Sequence, residues 1–200
     1  MLFLPKCAAG VASLADGPGG RRPLHCVRVR ELTGGDWRLE ATNGKALGVV
    51  RGPSSPGPAD LAAARALPAP ESLAFESLLP ARDLARAMRQ LGANGLLAVL
   101  LGSREAVLCA AGTVSRCPAE DARFVDTDAV LPTRPALVSV KFDPRLLIAV
   151  LKAAGAVAAT RGPGELPAVE LLWWGDGRPV GVTALGAGGV SFDGLVMPLV

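Results

Sequence analysis

The sequence predicts an α+β protein built from repeated β-α-β-β-β units, with antiparallel sheets and with helices on one face of them. Three observations predict this class. Two helical segments, near residues 80–91 and 144–154, match residue for residue, which indicates an internal repeat. Each follows a short alternating strand and precedes further alternating strands. Finally, 24 glycines and 17 prolines indicate short elements joined by many turns.

The middle unit is the clearest copy. Leu73–Leu79 alternates as a strand does, and Pro80–Leu91 reads as a helix that Gly92 ends. Two strands then follow, Leu96–Leu101 and Ala106–Ala110, around a turn at Gly102 and Ser103.

The last unit repeats this order. Val138–Phe142 is predicted as a strand, Asp143 as the N-cap, Pro144 as the first helical residue, and the helix runs to about Ala154, where Gly155 ends it. The predicted strands after it are Ala168–Trp174, Val180–Ala184 and a last strand through Leu195–Pro198, with a turn at Gly175-Asp-Gly177 after the first of them.

The N-terminal stretch is a weaker third copy. Its predicted elements are a strand at Leu2–Leu4, a short helix at Lys6–Leu14, and strands at Cys26–Glu31, Trp37–Ala41 and Leu47–Val50. Residues 60–67 hold one exposed helical turn at most. We therefore predict one domain at 1–132, made of units 1–58 and 71–132 joined by a Pro- and Gly-rich loop, and a third half-domain at 136–200.

Composition excludes several classes of protein. Half of the residues are apolar, which excludes extensive disorder, yet no apolar run approaches the length of a membrane span. The first residues lack the basic start of a signal peptide. Four cysteines without C-x-x-C spacing predict neither zinc nor disulfides. We expect a cytoplasmic chain without cofactor, metal or membrane partner.

The arginines of the two helices share a face. Arg82, Arg86 and Arg89 lie opposite the apolar side of the middle helix, and Arg145 and Lys152 take matching places on the last helix. Two interpretations stay open. The face is either an ordinary solvated surface, or it contacts nucleic-acid phosphates without reading sequence. A nearly all-cationic face that recurs in both copies favours the second.

Three segments resemble the bacterial sliding clamps, the beta subunit of DNA polymerase III. Leu39–Val50 is similar to that family's ATDGHRLAVV, Arg123–Pro132 to RFPDYRRVLP, and Gly194–Val200 to YVVMPMRL. The blocks stand in the family's order. Residues 1 to about 132 resemble the middle domain, and about 136 to 200 resemble half of the last domain. The resemblance implies a DNA-clamp-like fold, a processivity factor of DNA replication, and helices that line a DNA-filled hole.

The resemblance also implies a hydrophobic pocket that receives short peptides from polymerases or clamp loaders. Two departures from the family are Lys45-Ala46 in place of His-Arg, and no arginine at the end. Carried over by position, the wall of the pocket is Leu24, Thr42, Gly44, Lys45, Ala46, Leu47, Pro132, Leu195, Val196, Met197, Pro198 and Leu199. Without the resemblance, Leu47, Val196 and Leu199 read as ordinary core residues.

The sequence therefore leaves three interpretations of the function open. The first is a sliding-clamp-like or clamp-derived protein that contacts duplex DNA non-specifically and binds partner peptides. The second is a clamp-derived peptide-binding module that encircles nothing. The third is an enzyme using His25, the only histidine, with a nearby cysteine. Because such units pack in pairs and three is an odd number, a homo-oligomer in which the third units pair is a further hypothesis.

Overall fold

The structure is a computed structural model that describes residues 1–17, 23–54, 56–92, 95–131, 140–159, 168–175, 178–185 and 190–199. The chain divides into two compact units. Unit 1 comprises Met1–Leu131 and unit 2 comprises Pro132–Val200.

Unit 1 contains two halves, each built as strand, helix and three strands. The first half has β1 (Leu2–Pro5), a 3₁₀ helix (Lys6–Leu14), β2 (Cys26–Glu31), β3 (Trp37–Thr42) and β4 (Leu47–Gly52). A connecting helix α1 (Pro58–Arg65) follows. The second half has β5 (Glu76–Pro80), α2 (Ala81–Arg89), β6 (Leu96–Leu100), β7 (Glu105–Ala110) and β8 (Thr113–Pro118), and a short helix α3 (Thr127–Val130) ends the unit.

The two halves of unit 1 exchange their first strands. The sheet orders are β1-β6-β7-β8 and β4-β3-β2-β5, with all described pairs antiparallel. Thus β1 of the first half pairs with β6 of the second, and β5 of the second half pairs with β2 of the first. Helix α2 and the 3₁₀ helix pack against each other and against strands of both sheets. Leu84 and Met88 of α2 are fully buried among apolar residues of both sheets.

Unit 2 holds the helix and the three following strands of a single half of this kind. Its helix α4 (Pro144–Ala158) packs on a three-stranded antiparallel sheet of order β11-β10-β9, made of β9 (Val169–Trp173), β10 (Val180–Leu185) and β11 (Ser191–Val196). Ala154 and Ala158 of the helix and Val182, Ala184 and Val196 of the strands form its core. The predicted α+β class of repeated β-α-β-β-β units with antiparallel sheets is confirmed.

Several predicted boundaries were wrong. Gly155 does not end its helix, because its backbone is helical and residues 156–158 continue the helix to Ala158, which the sheet buries. The region 60–67 is not a single exposed turn, since α1 has two turns and buries Ala64 against Phe3 and Cys109. Strand β8, which follows a tight turn with positive φ at Ala111 and Gly112, had no predicted position.

The strand predicted at Val138–Phe142 is also not observed in the described part, residues 140–142. The equivalent strand of unit 1, β5, pairs with a strand of the other half, and unit 2 offers no such partner among its described residues. Val138 and Ser139 lie outside the described residues, as do Asp176 and Gly177 of the predicted turn.

Candidate functional site

The arginine face of α2 is exposed to solvent. Arg82, Arg86 and Arg89 recur every three or four residues, so their side chains leave the helix on one side. The opposite side, with Leu84 and Met88, is buried. Strong amphipathicity of this kind holds the helix in one orientation on the core and leaves the cations free to meet a ligand.

The matching residues of α4 are exposed too. The side chain of Arg145 is 88% exposed, and Lys152 is exposed about two turns further along the helix. Asp143 caps the helix by accepting a hydrogen bond from Arg145 N at 2.8 Å, and also pairs with the guanidinium at 3.0 Å. These hydrogen bonds from Arg145 hold the pKa of Asp143 below its ordinary value.

Two of the five cations thus have an acidic neighbour, although the sequence showed none at the usual helical spacing. Arg82 lies 3.6 Å from Asp83, and Arg145 contacts Asp143. No ion pair is recorded for Arg86, Arg89 or Lys152 within the described part of the chain. Exposed pairs of this kind are weak, so they leave both arginines available to phosphate.

The turn between β3 and β4 is held by its own side chains. Thr42 Oγ1 donates to Ala46 O at 2.7 Å and accepts from Gly44 N at 3.0 Å, while Asn43 Oδ1 accepts from Ala46 N at 2.8 Å. Gly44 has φ +83°, a conformation that suits glycine. A Cβ on Gly44 would lie 3.7 Å from Leu24 Cδ1, so the structure brings these two positions together.

Around this turn the remaining unit 1 positions differ in exposure. Lys45 and Ala46 are exposed at its tip, and Leu24 and Leu47 are half-buried beside it. The turn therefore presents a small apolar surface with a rigid backbone. Pro132, assigned to the same pocket by resemblance, lies outside the described residues.

The end of unit 2 presents a second apolar surface. Leu195, Met197 and Leu199 are 61%, 60% and 56% exposed, so three large apolar side chains within five residues face solvent. Between them, Val196 is 2% exposed and belongs to the core of unit 2, and Pro198 is half-buried. Leu199 N donates to Lys141 O at 2.8 Å, which fixes this segment on the unit.

Unit 1 also contains a buried charged cluster that the sequence patterns do not predict. Arg28 of β2 and Glu40 of β3 stand directly opposite each other and form an ion pair, and Glu40 is fully buried. Arg38 Nε lies 2.6 Å from the second Glu40 oxygen without the alignment of a hydrogen bond. Thr127 completes the cluster, accepting from Arg28 Nη2 and Arg38 Nη2 at 2.9 Å each and donating to Glu40.

The same cluster attaches the segment around α3 to the sheet. Arg30 and Arg38 oppose each other across β2 and β3, a like-charge arrangement that is unfavourable by itself. Asp128 offsets it, lying 2.7 Å from Arg38 and 3.8 Å from Arg30. The hydrogen bond from Arg38 lowers the pKa of Asp128. Phe124, whose ring centre is 5.1 Å from the Arg28 guanidinium carbon, covers the neighbouring part of the sheet.

The environment of His25 does not resemble a nucleophilic site. Its Nε2 lies 3.7 Å from Glu120 Oε1, and Cys26 is buried beside Leu78 and Phe124. Burial raises the pKa of the Cys117 thiol to about 12, the opposite of what a reactive thiolate needs. Cys7 is exposed. Within the described residues no group of three His, Cys, Asp or Glu side chains is placed to hold a metal ion, and no helix there has the length and apolarity of a membrane span.

The exchanged strands, the paired halves and the helices on one face of antiparallel sheets define a DNA-clamp fold. The solved structures confirm this. A DNA polymerase sliding clamp from Bacillus subtilis matches with a TM-score of 0.72 at 12% identity, over 98% of this chain and 48% of that one. The beta subunit of DNA polymerase from Streptococcus pyogenes matches with a TM-score of 0.71 at 14% identity, over 100% and 50%.

A third structure is a sliding clamp from Pseudomonas aeruginosa bound to griselimycin, with a TM-score of 0.64 at 17% identity, over 94% of this chain and 45% of that one. The chain thus spans about half the length of the solved clamps that it matches. No protein-family model matches the sequence, and no curated protein matches it. The resemblance to bacterial sliding clamps, seen first in three short segments, is therefore confirmed at the level of the fold.

Proposed function

We propose that this chain is a clamp-type protein that contacts the phosphates of duplex DNA through the exposed cations of α2 and α4. The observation that carries the proposal is the exposed cationic side of α2, where Arg82, Arg86 and Arg89 stand opposite a buried apolar side. Arg145 and Lys152 repeat the arrangement on α4. Long flexible cations on a helix surface suit the regular phosphate backbone and carry no base specificity.

The experiment is a fluorescence anisotropy titration of a labelled duplex of mixed sequence, repeated at several salt concentrations. Replacing Arg82, Arg86 and Arg89 together by Gln should weaken binding and lower the salt slope by roughly 1 per arginine. A matched control replaces three exposed arginines elsewhere in unit 1, Arg65, Arg104 and Arg123, so that the net charge changes equally. If both triple variants bind the duplex alike, the cations of α2 have no particular role and the proposal fails.

We further propose that the apolar surface of each unit is a contact for short partner peptides, such as segments of a polymerase or a clamp loader. On unit 1 the surface comprises Leu24, Gly44 and Leu47 around the β3–β4 turn, with Thr42 holding that turn. On unit 2 it comprises Leu195, Met197 and Leu199, while Val196 supports the strand from the core. Branched aliphatic side chains and a flexible methionine form an adaptable apolar contact.

Griselimycin is a suitable probe for the apolar surface of unit 2, because a structurally similar clamp binds this compound. We expect saturable binding that Met197→Ala weakens by more than about 1 kcal/mol, as for a contact at the centre of an interface. Leu73→Ala, which shortens a leucine that is 75% exposed on unit 1, should leave binding unchanged. Absence of binding, or equal weakening by both variants, contradicts the peptide proposal.

A clamp-derived peptide-binding module that does not encircle DNA is the second candidate function, and the exposed Leu195, Met197 and Leu199 favour it independently of the arginines. Griselimycin binding together with a duplex affinity that the α2 variant leaves unchanged would select this candidate. Neither function requires a catalytic residue.

A further inference from the structure

Unit 1 shows how two halves of this fold complete each other. Each half gives its first strand to the other, β1 to β6 and β5 to β2, while their helices pack together. The arrangement is reciprocal. As a result Leu84 and Met88 on α2 have no exposed surface.

Unit 2 repeats one such half in detail. In unit 1, the residue two positions past β8, Glu120, donates its N–H to Leu78 O of β5 at 2.9 Å. In unit 2, Leu199 follows β11 and donates its N–H to Lys141 O at 2.8 Å. Lys141 precedes α4 as Leu78 precedes α2. Residues 140–142 therefore already occupy the place of a first strand.

What unit 2 lacks among its described residues is the other half. Only β10 pairs with β9, so one edge of β9 has no described strand beside it. Leu171 and Trp173 of β9 stand opposite Val182 and Val180, on the side of the sheet that faces the helix, yet they are 59% and 43% exposed.

The apolar side of α4 is also less buried than that of α2. Leu147 and Leu151, which match the fully buried Leu84 and Met88, are only half-buried. The chain between α3 and α4 is far too short to supply the missing half, which in unit 1 takes residues 76–118. Among the described residues, nothing in this chain covers the open edge of β9 or the apolar side of α4.

We propose that a second copy of this chain completes unit 2 by a two-fold exchange, in which residues 140–142 of each copy run antiparallel along β9 of the other. This inference does not depend on the DNA or peptide proposals. Each copy supplies both the strand and the edge that receives it, which is the self-complementarity that a two-fold dimer requires. The pseudo-symmetric exchange inside unit 1 is the pattern for it.

The charges on the two strands are consistent with a second copy as the partner. Phe142 packs against the core of unit 2, on the helix side of the sheet. In the exchanged pair it must therefore stand opposite a β9 residue on that same side, and Val169 is the first such residue. Lys141 then stands opposite Glu170, and Val140 opposite Leu171. Both Lys141 and Glu170 are exposed in unit 2, and an opposite-charge pair directly across two strands is favourable. The two-fold axis forms this pair twice.

The test is sedimentation equilibrium of the full chain over a wide range of concentrations. We expect a dimer that Leu171→Asp dissociates, raising its dissociation constant at least tenfold. Leu195→Asp is the matched control, because Leu195 is equally exposed on the same sheet but stands opposite Gly181 on its other side. A monomer at all concentrations, or a dimer that both variants weaken alike, overturns the proposal.

Charge reversal tests the strand exchange itself. Lys141→Glu and Glu170→Lys should each weaken the dimer several-fold, since each places like charges opposite one another, and the double variant should restore it. Both side chains are exposed, so neither change threatens the fold of the unit. A dimer that ignores the single reversals, or is not restored by the double one, overturns this arrangement. The same measurement on the Arg82, Arg86 and Arg89 variant should still give a dimer, whatever its affinity for DNA.

Discussion

The two units of this protein use the same half in different states of completion. In unit 1 a second half covers the helix and pairs with every first strand, and the resulting core is continuous from β1 to β8. In unit 2 the core is small, and Leu171, Trp173, Leu146 and Ile148 are all at least 43% exposed. The comparison teaches that the sequence of a half specifies its helix and three-stranded sheet, whereas burial of its apolar side depends on a partner.

The units also differ in buried charge. All buried polar and charged side chains of the described residues lie in unit 1, and most of them belong to the cluster around Glu40. The attachment of the α3 segment by this cluster therefore belongs to unit 1. Variants in each unit can separate what the cluster contributes to stability from what the packing of the two halves contributes.

The largest effect is expected for Glu40→Ala. Removing this carboxylate leaves Arg28 and Arg38 buried without their counter-charge, which we expect to lower the free energy of unfolding of unit 1 by about 3–5 kcal/mol. Hydrogen exchange measured by mass spectrometry should show faster exchange in β2 and β3 and unchanged exchange in β9–β11. Equal loss of protection in both units would contradict the assignment of this cluster to unit 1.

The next effect compares matched leucines of the two helices. Leu84→Ala removes a fully buried side chain and should cost about 2–5 kcal/mol in unit 1. Leu147→Ala removes a half-buried side chain and should lower the free energy of unfolding of unit 2 by clearly less, because folding buries less apolar surface at that position. Urea titrations followed by hydrogen exchange in each unit measure both. Equal costs would show that the apolar side of α4 is as well covered as that of α2.

The cysteines give a smaller, pH-dependent contrast. Burial raises the pKa of Cys117 to about 12, so this thiol stays protonated when the unfolded thiol, near 9, would ionise. Its contribution to stability is therefore complete below about pH 9 and is lost as the pH rises towards 12. At pH 8, N-ethylmaleimide should modify the exposed Cys7 and leave Cys117 unmodified, which mass spectrometry of peptides can check. Rapid labelling of Cys117 would contradict its burial.

The smallest effect concerns Asp128. The hydrogen bond and charge of Arg38 lower its pKa, so its stabilising contribution is present above the unfolded value and is lost as the pH falls below about 4. Between pH 7 and pH 3, the native chain should lose more stability than the Asp128→Asn variant. Urea midpoints at the two values measure the difference, and parallel losses in both chains would remove Asp128 from the cluster.

Local patterns made much of this fold predictable. The side chains that α2 buries follow from spacing, and β2 and β3 were found within a residue because apolar and polar residues alternate in them. The cluster around Glu40 was not predictable in this way. Arg28 and Arg38 lie in alternating strands, where arginine is typical of the solvent side. The residues that bury them, near Thr127, come much later in the chain.

The errors have equally local causes. Gly155 carries no instruction to end a helix unless its backbone turns left-handed, and here it does not. The strand expected before α4 depends on a partner strand, which no pattern within its own residues can reveal. Of the proposed contact surfaces, the exposure of the arginines could be predicted from helix geometry, whereas the positions of the pocket residues came only from resemblance to a family.

The exchange between β1 and β6 also constrains how the chain is made. The N-terminal strand cannot find its hydrogen-bonding partner until residues 96–100 have been synthesised, and β2 must likewise wait for β5. Until then the nascent chain shows bare strand edges that other chains could pair with. We therefore expect slow translation before residue 96 to lengthen this stage and to raise the yield of aggregates.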